Sequence, residues 1–325
     1  MQWKTIRYRL EWLGVKALAS FIPLLPRRAC AMLASVVGAL AFAFDGRGRH
    51  VALANIEAAL GDRYSAAERR RIARASYQYF ARTMLDLFWS PRLTRPGGTK
   101  YIHMSGLEVL DQWKGKPTVV LVAHIAGFEW ASLGCGLHGY RGNIVTDTFK
   151  NVPLNDLFIS LRSGTGQEML TQEMSMLRML RSVMKGRFVG LLIDLNLPPT
   201  QAATVIETFG MKLCATFLHA ILSQRTGAAL VPMTSEPLPD GTCRVQIHPA
   251  LEIPDGSTPQ QITQIAWNFF EHLIREKPEL WMWAYKHWRY KPKGDPHAYP
   301  FYANESGKFE RLLRTLKKDE AALRR

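Results

Sequence analysis

The stretch PTVVLVAHIAGFEWA, residues 117 to 131, constrains the fold more than any other part of the sequence. Its apolar run at 119 to 123 stops abruptly at His124, as a buried strand of an α/β sheet does. Ligands bind outside the carboxyl ends of strands in such sheets, so we expect chemistry at His124. A carboxylate five residues later, Glu129, would hold one ring nitrogen and leave the other free as a general base. For this pair alone, a buried histidine satisfied by a carboxylate without any catalytic role is an equally good interpretation.

Apolar runs alternate with segments of helical period over the rest of the chain. This alternation predicts an α/β fold with a mostly parallel central sheet covered by helices on both faces. The turn sequence Pro-Asp-Gly-Thr at 239 to 242 adds one antiparallel pair late in the sheet. A capping box, Ser65-Ala-Ala-Glu68, begins a helix that runs to about Phe88. The other predicted strands are 118–123, 143–146, 188–193, 229–233 and 243–248, and the other predicted helices are 129–137, 154–162, 172–185, 213–226, 259–277 and 308–325.

The N-terminal sequence is typical of a membrane-docking segment. Basic residues interleave with an apolar helical face made of Ile6, Leu10, Leu13, Ala17 and Phe21. An uncharged run at 29–44 follows, slightly shorter than the roughly 20 residues of a membrane span. A cleaved signal peptide is the competing interpretation, although no clean cleavage site follows this run. We predict a membrane-docking helical segment at 1–50, a single α/β domain at 51–305 and a basic helix or tail at 306–325.

The net charge of +15 requires an anionic partner, for which nucleic acid, an acidic carrier protein and an anionic membrane surface are the candidates. The mean hydropathy of -0.10 is too low for a polytopic membrane protein. Four widely separated cysteines without a CxxC pair argue against structural zinc. A second unusual stretch, PELWMWAYKHWRYKPK at 278–293, interleaves aromatic and basic residues. Such a pattern stacks on nucleic acid or forms a membrane belt, and the apolar N-terminus favours the membrane belt.

Three more charged side chains fall where predicted strands or helices end. Asp194 directly follows an apolar strand, Asp147 follows another, and Arg162 closes a helix. Each has a purely structural interpretation, because aspartates cap turns and an arginine complements a helix dipole. Arg162 could equally hold a phosphate or carboxylate with two hydrogen bonds. No P-loop lysine follows the glycines at 164 and 166, so nucleotide binding has little support.

Taken in order, these segments resemble the lipid A biosynthesis acyltransferases of the lysophospholipid-acyltransferase-like superfamily. His124-Ile-Ala-Gly-Phe-Glu129 matches the HxxxxE motif, and 151–164 resembles the Asn-Pro segment that leads to an arginine. Asp194-Leu195 with Thr208-Phe209-Gly210 is similar to the family's Asp-Gln and Phe-Phe-Gly, and 278–289 to its Pro-Glu-x-Trp-x-Trp segment. The sequence departs from the usual residues at Leu195 (Gln), Thr208 (Phe) and Tyr285 (His).

The resemblance implies acyl transfer from an acyl carrier protein or CoA thioester to a hydroxyl of a lipid A precursor or related glycolipid. It places the enzyme on the cytoplasmic face of a bacterial inner membrane, with no cofactor, no metal and no nucleic-acid partner. His124 is then the general base oriented by Glu129, and Arg162, Asp194 and Asp147 bind substrate. No GxSxG sequence occurs near the site, which favours direct transfer without an acyl-enzyme. A thioesterase-type hydrolase and a non-catalytic basic membrane-binding protein are the alternatives.

Overall fold

Helices and strands alternate along the chain around one seven-stranded sheet, in a computed structural model that describes residues 2–171, 175–200 and 202–323. The helices are α1 (Gln2–Phe21), α2 (Arg27–Phe44), α3 (Gly46–Leu60), α4 (Ala66–Trp89), α5 (Leu107–Gln112), α6 (Phe128–Leu137), α7 (Val152–Arg162), α8 (Ser175–Met184), α9 (Leu218–Thr226), α10 (Pro259–Glu276) and α11 (Gly307–Leu323). The strands are β1 (Ile102–Ser105), β2 (Thr118–Val122), β3 (Gly142–Thr146), β4 (Glu168–Thr171), β5 (Phe188–Leu192), β6 (Ala203–Thr208), β7 (Met211–Thr216), β8 (Ala229–Pro237), β9 (Cys243–Ile247), β10 (Tyr290–Lys291) and β11 (Asn304–Glu305).

The central sheet has the strand order β1-β9-β8-β2-β5-β3-β4. All neighbours in it are parallel except β8 and β9, which form the antiparallel pair that the turn at 239–242 predicts. The middle of β2 is fully buried because helices cover both faces of the sheet, which explains its continuous apolar run. The predicted α/β fold class is confirmed.

The predicted helix at 213–226 is wrong in its first part. Residues 211–216 form β7, which pairs antiparallel with β6 in a separate hairpin, and the helix α9 begins only at Leu218. Phe209 (φ 50°) and Gly210 (φ 80°) make its tight turn, since two positive φ angles suit the twist of a two-residue hairpin. The periodicity of a short apolar run does not distinguish a strand from a helix. Here the pairing with β6 makes residues 211–216 a strand. The predicted start of the helix at 172–185 lies outside the described residues, and α8 begins at Ser175.

The capping box at Ser65 and the N-terminal helices match the sequence pattern. The Ser65 hydroxyl accepts from the Glu68 backbone at 3.4 Å, the Glu68 carboxylate accepts from the Ser65 backbone at 2.8 Å, and α4 follows. The predicted apolar face of α1 is exposed at Ile6, Leu10 and Phe21. Among the described helices, α2 has the length and composition of a candidate membrane span.

The aromatic stretch at 278–293 does not form a membrane belt, and that expectation is wrong. Trp281, Trp283 and Trp288 are all buried, and they surround the ring of Phe209 at centroid distances of 6.0 to 6.2 Å. Each indole N–H donates to a protein oxygen, so these rings need no aqueous interface for their polar atoms. The segment is a wall of the core beneath the carboxyl edge of the sheet.

Candidate active site

The parallel register of β2 and β5 brings His124 and Asp194 together. Val122 pairs with Leu192 at the ends of these neighbouring strands, so the residues two positions farther along lie side by side. His124 Nδ1 is 2.8 Å from Asp194 Oδ1, and the His124 backbone N–H donates to Asp194 Oδ2 at 2.8 Å. The indole N–H of Trp281 also donates to Oδ2 at 2.8 Å. Both oxygens of the buried Asp194 carboxylate therefore accept hydrogen bonds, and the carboxylate fixes the orientation of the imidazole.

This arrangement selects the tautomer of His124. The carboxylate of Asp194 can only accept, so Nδ1 carries the hydrogen and Nε2 presents its lone pair. Nε2 has no hydrogen-bond partner within the described part of the chain, and the ring lines an open cavity. A histidine held in this way is arranged as a general base.

The electrostatics of the pair favour a basic imidazole. Burial lowers the pKa of His124, but the charge and hydrogen bond of Asp194, helped by the Glu129 charge, outweigh burial and raise it above its ordinary value. Burial alone would raise the pKa of Asp194, yet His124 and the Trp281 indole lower it to about 2. Asp194 therefore stays ionised at neutral pH and stabilises the protonated form of His124.

Glu129 does not hold His124, and that expectation is wrong. Glu129 lies in the first turn of α6 and faces the end of α7, where it makes a two-pronged ion pair with Arg162. The Oε1–Nη2 distance is 2.6 Å and the Oε2–Nε distance is 3.0 Å. The positive φ of Gly127 (83°) turns the chain into α6 after only a short loop, which directs the Glu129 side chain away from Nδ1. Asp194, which is distant in sequence, takes the place at the ring.

The ion pair joins the same cavity from its other side. Arg162 Nη1 donates to the Thr146 hydroxyl at 3.0 Å, at the end of β3. The Arg162 side chain keeps 21% of its surface exposed, while Glu129 keeps 6%. Guanidinium N–H groups beyond those bonded to Glu129 and Thr146 are thus available at the cavity wall. Asp147 is exposed beside Thr146 at the cavity mouth, and its predicted role in substrate binding stays a prediction.

The sequence pattern does not predict two of these contacts, the one between Arg162 and Thr146 and the one between Trp281 and Asp194. Thr146 carries no signal beyond its place at a strand end. Trp281 was visible as a residue of the Pro-Glu-x-Trp segment, but its link to Asp194 depends on a backbone approach between distant segments. Ala126 N donates to Leu280 O at 2.9 Å, which ties the loop after His124 to the Trp281 segment.

A cavity of about 570 Å³ extends from the strand ends into the molecule. This volume lies within the range of about 300 to 1,000 Å³ that is typical of small-molecule sites. His124, Glu129 and Arg162 line the polar part of the cavity, and the remainder is mostly apolar. The apolar lining comes from strands, from the loop after β5 and from the start of α9, and includes Val122, Ile144, Gly190, Leu195, Phe217 and Met233.

A second groove, of about 730 Å³, lies between the β6–β7 hairpin and α11. Lys308 and Arg311 stand at it, but neither His124 nor Asp194 does. The larger volume therefore does not mark the chemical site. Within the described residues no group of three or more His, Cys, Asp or Glu side chains is placed to hold a metal ion.

The model of the bacterial lipid A biosynthesis acyltransferase family matches residues 1–290. The chain belongs to this family. It is also 23% identical over 310 residues to the lipid A biosynthesis lauroyltransferase of Escherichia coli (strain K12), an alignment that covers 90% of this chain and 95% of that protein. The resemblance drawn from the sequence is confirmed, and the protein is an acyltransferase.

Two of the three departures of this lipid A acyltransferase family member lie on or against the loop that follows Asp194. Leu195 follows Asp194 directly and lines the cavity with an apolar side chain. The hydroxyl of Tyr285 donates to the backbone carbonyl of Asn196 at 3.3 Å, on the same loop. Thr208 accepts from the Trp288 indole at 3.2 Å and lies behind the site. Leu195 is thus the departure that meets the cavity itself.

Proposed function

We propose that this protein transfers a fatty acyl chain from a thioester donor to a hydroxyl group of a lipid A precursor or a related glycolipid. The observation that carries the proposal is the His124 ring, held at Nδ1 by Asp194 and open at Nε2 to a largely apolar cavity. A base at the polar end of an apolar cavity can act on a hydroxyl group while the cavity binds a hydrocarbon chain. The family membership supports the same reaction class.

In the proposed reaction, Nε2 of His124 takes the proton of the acceptor hydroxyl as its oxygen attacks the thioester carbonyl carbon. A tetrahedral oxyanion forms, the carbon–sulfur bond breaks, and the thiol sulfur takes the proton back from the imidazolium. The products are an ester and a free thiol, and His124 is neutral again. Asp194 stabilises the imidazolium that exists only during this sequence, which lowers the barrier rather than merely tightening binding.

The Glu129–Arg162 pair has a different role in the proposal. The free N–H groups of Arg162 stabilise the oxyanion or hold a substrate phosphate, and Glu129 fixes the direction of the guanidinium. Glu129 is thus a positioning residue for Arg162. The charge of Arg162 is balanced within the protein, so the site binds its substrate by directed hydrogen bonds more than by net charge.

The apolar part of the cavity is the proposed site of the acyl chain. Gly190 of β5 lines it, and a Cβ added at Gly190 would meet chiefly the flexible end of Ile144 at 2.7 Å. A Gly190→Val variant should fit and shorten the cavity. In a mixture of acyl donors of different length, we expect it to shift the preference toward shorter chains by roughly tenfold or more. An unchanged chain-length profile would place the acyl chain elsewhere.

The donor is proposed to be an acyl-ACP or acyl-CoA, both of which end in a phosphopantetheine thioester. The net charge of +15 suits both an acidic carrier protein and an anionic leaflet. Competition between equal concentrations of the two donors, read by the label in the lipid product, decides between them. We place the enzyme on the cytoplasmic face of a bacterial inner membrane, where both donors and the acceptor meet.

The decisive experiment combines a purified His124→Ala variant with lipid mass spectrometry. The variant should lose transfer by roughly 10² to 10⁴-fold, which is the usual worth of a general base. Lipids from cells with and without the gene should differ by the mass of one acyl chain. Near-normal turnover by His124→Ala would overturn the assignment, and acyl release to water with a lipid acceptor present would mark a thioesterase.

A further inference from the structure

The helices α1 and α2 and the turn at 22–24 between them carry a series of exposed apolar side chains, called here the docking surface. Trp3 keeps 77% of its surface exposed at one end of this pair of helices and Phe44 keeps 84% at the other. Leu10, Leu24, Met32 and Val36 are exposed between them. Exposed apolar patches of this extent on a soluble domain mark a surface that another apolar phase covers.

The charges beside the docking surface identify that phase. Residues 1–50 contain eight Lys and Arg but only two acidic residues, Glu11 and Asp45. Both acids have partners, since Glu11 pairs with Arg7 at 3.2 Å and Asp45 accepts from the Tyr77 hydroxyl at 2.9 Å. The apolar face is therefore bordered by uncompensated positive charge, which complements the headgroups of an anionic bilayer.

The helix α2 is attached to α4 along its whole length. The Arg27 guanidinium binds the Asp86 carboxylate at one end, and the ring of Phe42 packs on Tyr77 near the other, with 5.6 Å between centroids. Between these contacts Gly38 brings the two backbones together, because a Cβ there would lie 2.3 Å from the Gln78 Cα. The two helices run antiparallel and behave as one unit.

A spanning α2 would therefore take α4 into the bilayer with it. The 18 residues of α2 rise about 27 Å, close to the roughly 30 Å of the hydrocarbon core. In turn, α4 is attached to the α/β domain, because the Ser76 hydroxyl donates to the Trp281 carbonyl and the Trp130 indole donates to the Asp86 carbonyl at 2.7 Å. Five residues of α2, spaced from Arg27 to Phe42, are buried, so α2 cannot enter the hydrocarbon core without taking the charged surface of this domain with it.

We propose that α1 and α2 lie flat in the interface of an anionic bilayer and that α2 does not cross it. The inference depends on the proposed function only for the statement that the acceptor is a membrane lipid. The docking surface also leads to the cavity, because the Asn151 side chain donates to the Tyr8 backbone carbonyl at 2.9 Å and anchors α1 at the start of α7. Phe149, exposed beside this anchor, lines the cavity mouth. A lipid can thus reach His124 from the bilayer surface.

Depth measurements on the full chain test this orientation. The native cysteines are all buried, so a thiol-reactive environment-sensitive dye is directed to single cysteines introduced at Met32, Val36 and Ala43, on the outward side of α2. The variants bind vesicles of phosphatidylethanolamine and phosphatidylglycerol that carry shallow or deep spin-labelled lipids. Flat docking predicts the same ratio of shallow to deep quenching at all three positions. A spanning helix predicts the deepest signal at Val36, with Ala43 about 10 Å nearer the surface.

An Arg74→Cys label on α4 is the matched control. Flat docking leaves it in water without quenching, whereas a spanning α2 brings it to the headgroup region, level with Phe42, where the shallow spin label quenches it. Graded depths along α2, or a quenched label at Arg74, overturn the proposal. Labels that stay unquenched on a protein that doubles its mass in solution also overturn it, because a second copy would then cover the docking surface. The quenching measurement needs no turnover. It can therefore be repeated on the His124→Ala variant, and the depth of the labels tests the docking proposal independently of the proposed function.

Discussion

Asp194 and Glu129 are both buried carboxylates at the same edge of the sheet, yet their partners differ in kind. Asp194 holds a histidine whose charge changes when it accepts a proton. Glu129 holds an arginine that is positive at all times. The first pair changes its interaction energy during the proposed reaction, and the second keeps it constant. Only an interaction that strengthens toward the transition state accelerates the chemical step.

In the proposed reaction, this difference assigns proton transfer and fixed electrostatic stabilisation to opposite walls of one cavity. The wall of β2 and β5 carries the proton, and the wall of α6 and α7 carries a fixed positive charge. Substitutions that leave the shape of each carboxylate intact can therefore separate the two roles. Two such substitutions do so, and a third variant, at Trp281, tests the Asp194–His124 pair more finely; the three follow in order of decreasing effect.

Asp194→Asn should have the largest effect. The amide oxygen takes the position of Oδ2, which accepts two N–H groups, so the amide nitrogen faces Nδ1 and cannot accept from it. The ring therefore loses the tautomer with hydrogen on Nδ1, and kcat should fall by roughly 10² to 10⁴-fold. The charge that raises the pKa of His124 also disappears while burial still lowers it. A base must be neutral to act, so the acid limb of the residual pH–rate profile should move to lower pH. Asp255→Asn, at an exposed turn, is the control, and unchanged kcat in Asp194→Asn would contradict the pairing.

Glu129→Gln should affect stability as much as rate. It leaves the guanidinium of Arg162 partly buried without its counter-charge, which should lower the free energy of unfolding by about 1 to 3 kcal/mol. The rate should fall less than in Asp194→Asn, because the tautomer of His124 survives. Denaturant unfolding of Glu129→Gln, Arg162→Met and the double variant completes a cycle. The double variant should be less destabilised than the sum of the single variants, and simple additivity would show that the ion pair contributes nothing.

Much of this arrangement could be predicted from the sequence because it depends on local pattern. The run at 119–123 predicts a buried strand, and the position of His124 at its end predicts a site residue. The turn at 239–242 predicts a hairpin, and the structure confirms it. Each of these follows from a few adjacent residues, so no tertiary information is needed.

The partner of His124 could not be predicted in that way. Glu129 is close in sequence, and Asp194 is 70 residues away, but the register of β2 against β5 decides which of them reaches Nδ1. The same limit applies to the two tryptophan-containing segments that the sequence pattern assigns to a membrane, residues 1–50 and 278–293. Trp3 and Trp281 have the same side chain in similar basic surroundings, yet Trp3 is exposed and Trp281 is buried against Asp194. The sequence shows that an indole needs apolar contacts and a hydrogen-bond acceptor. Only the tertiary packing shows whether the protein core or the surroundings of the protein supply them.

Trp281→Phe should have the smallest effect and the most specific one. It removes the indole N–H that Asp194 Oδ2 accepts, so the carboxylate interacts more strongly with His124 and raises its pKa further. The acid limb of the pH–rate profile should therefore move to higher pH, opposite to its direction in Asp194→Asn. Trp283→Phe is the matched control, since its indole is equally buried but donates to the Pro278 carbonyl at 2.6 Å. The free energy of unfolding should fall by a similar amount in both variants, while only Trp281→Phe should shift the acid limb of the pH–rate profile. Equal profiles in the two variants would show that Trp281 serves packing alone.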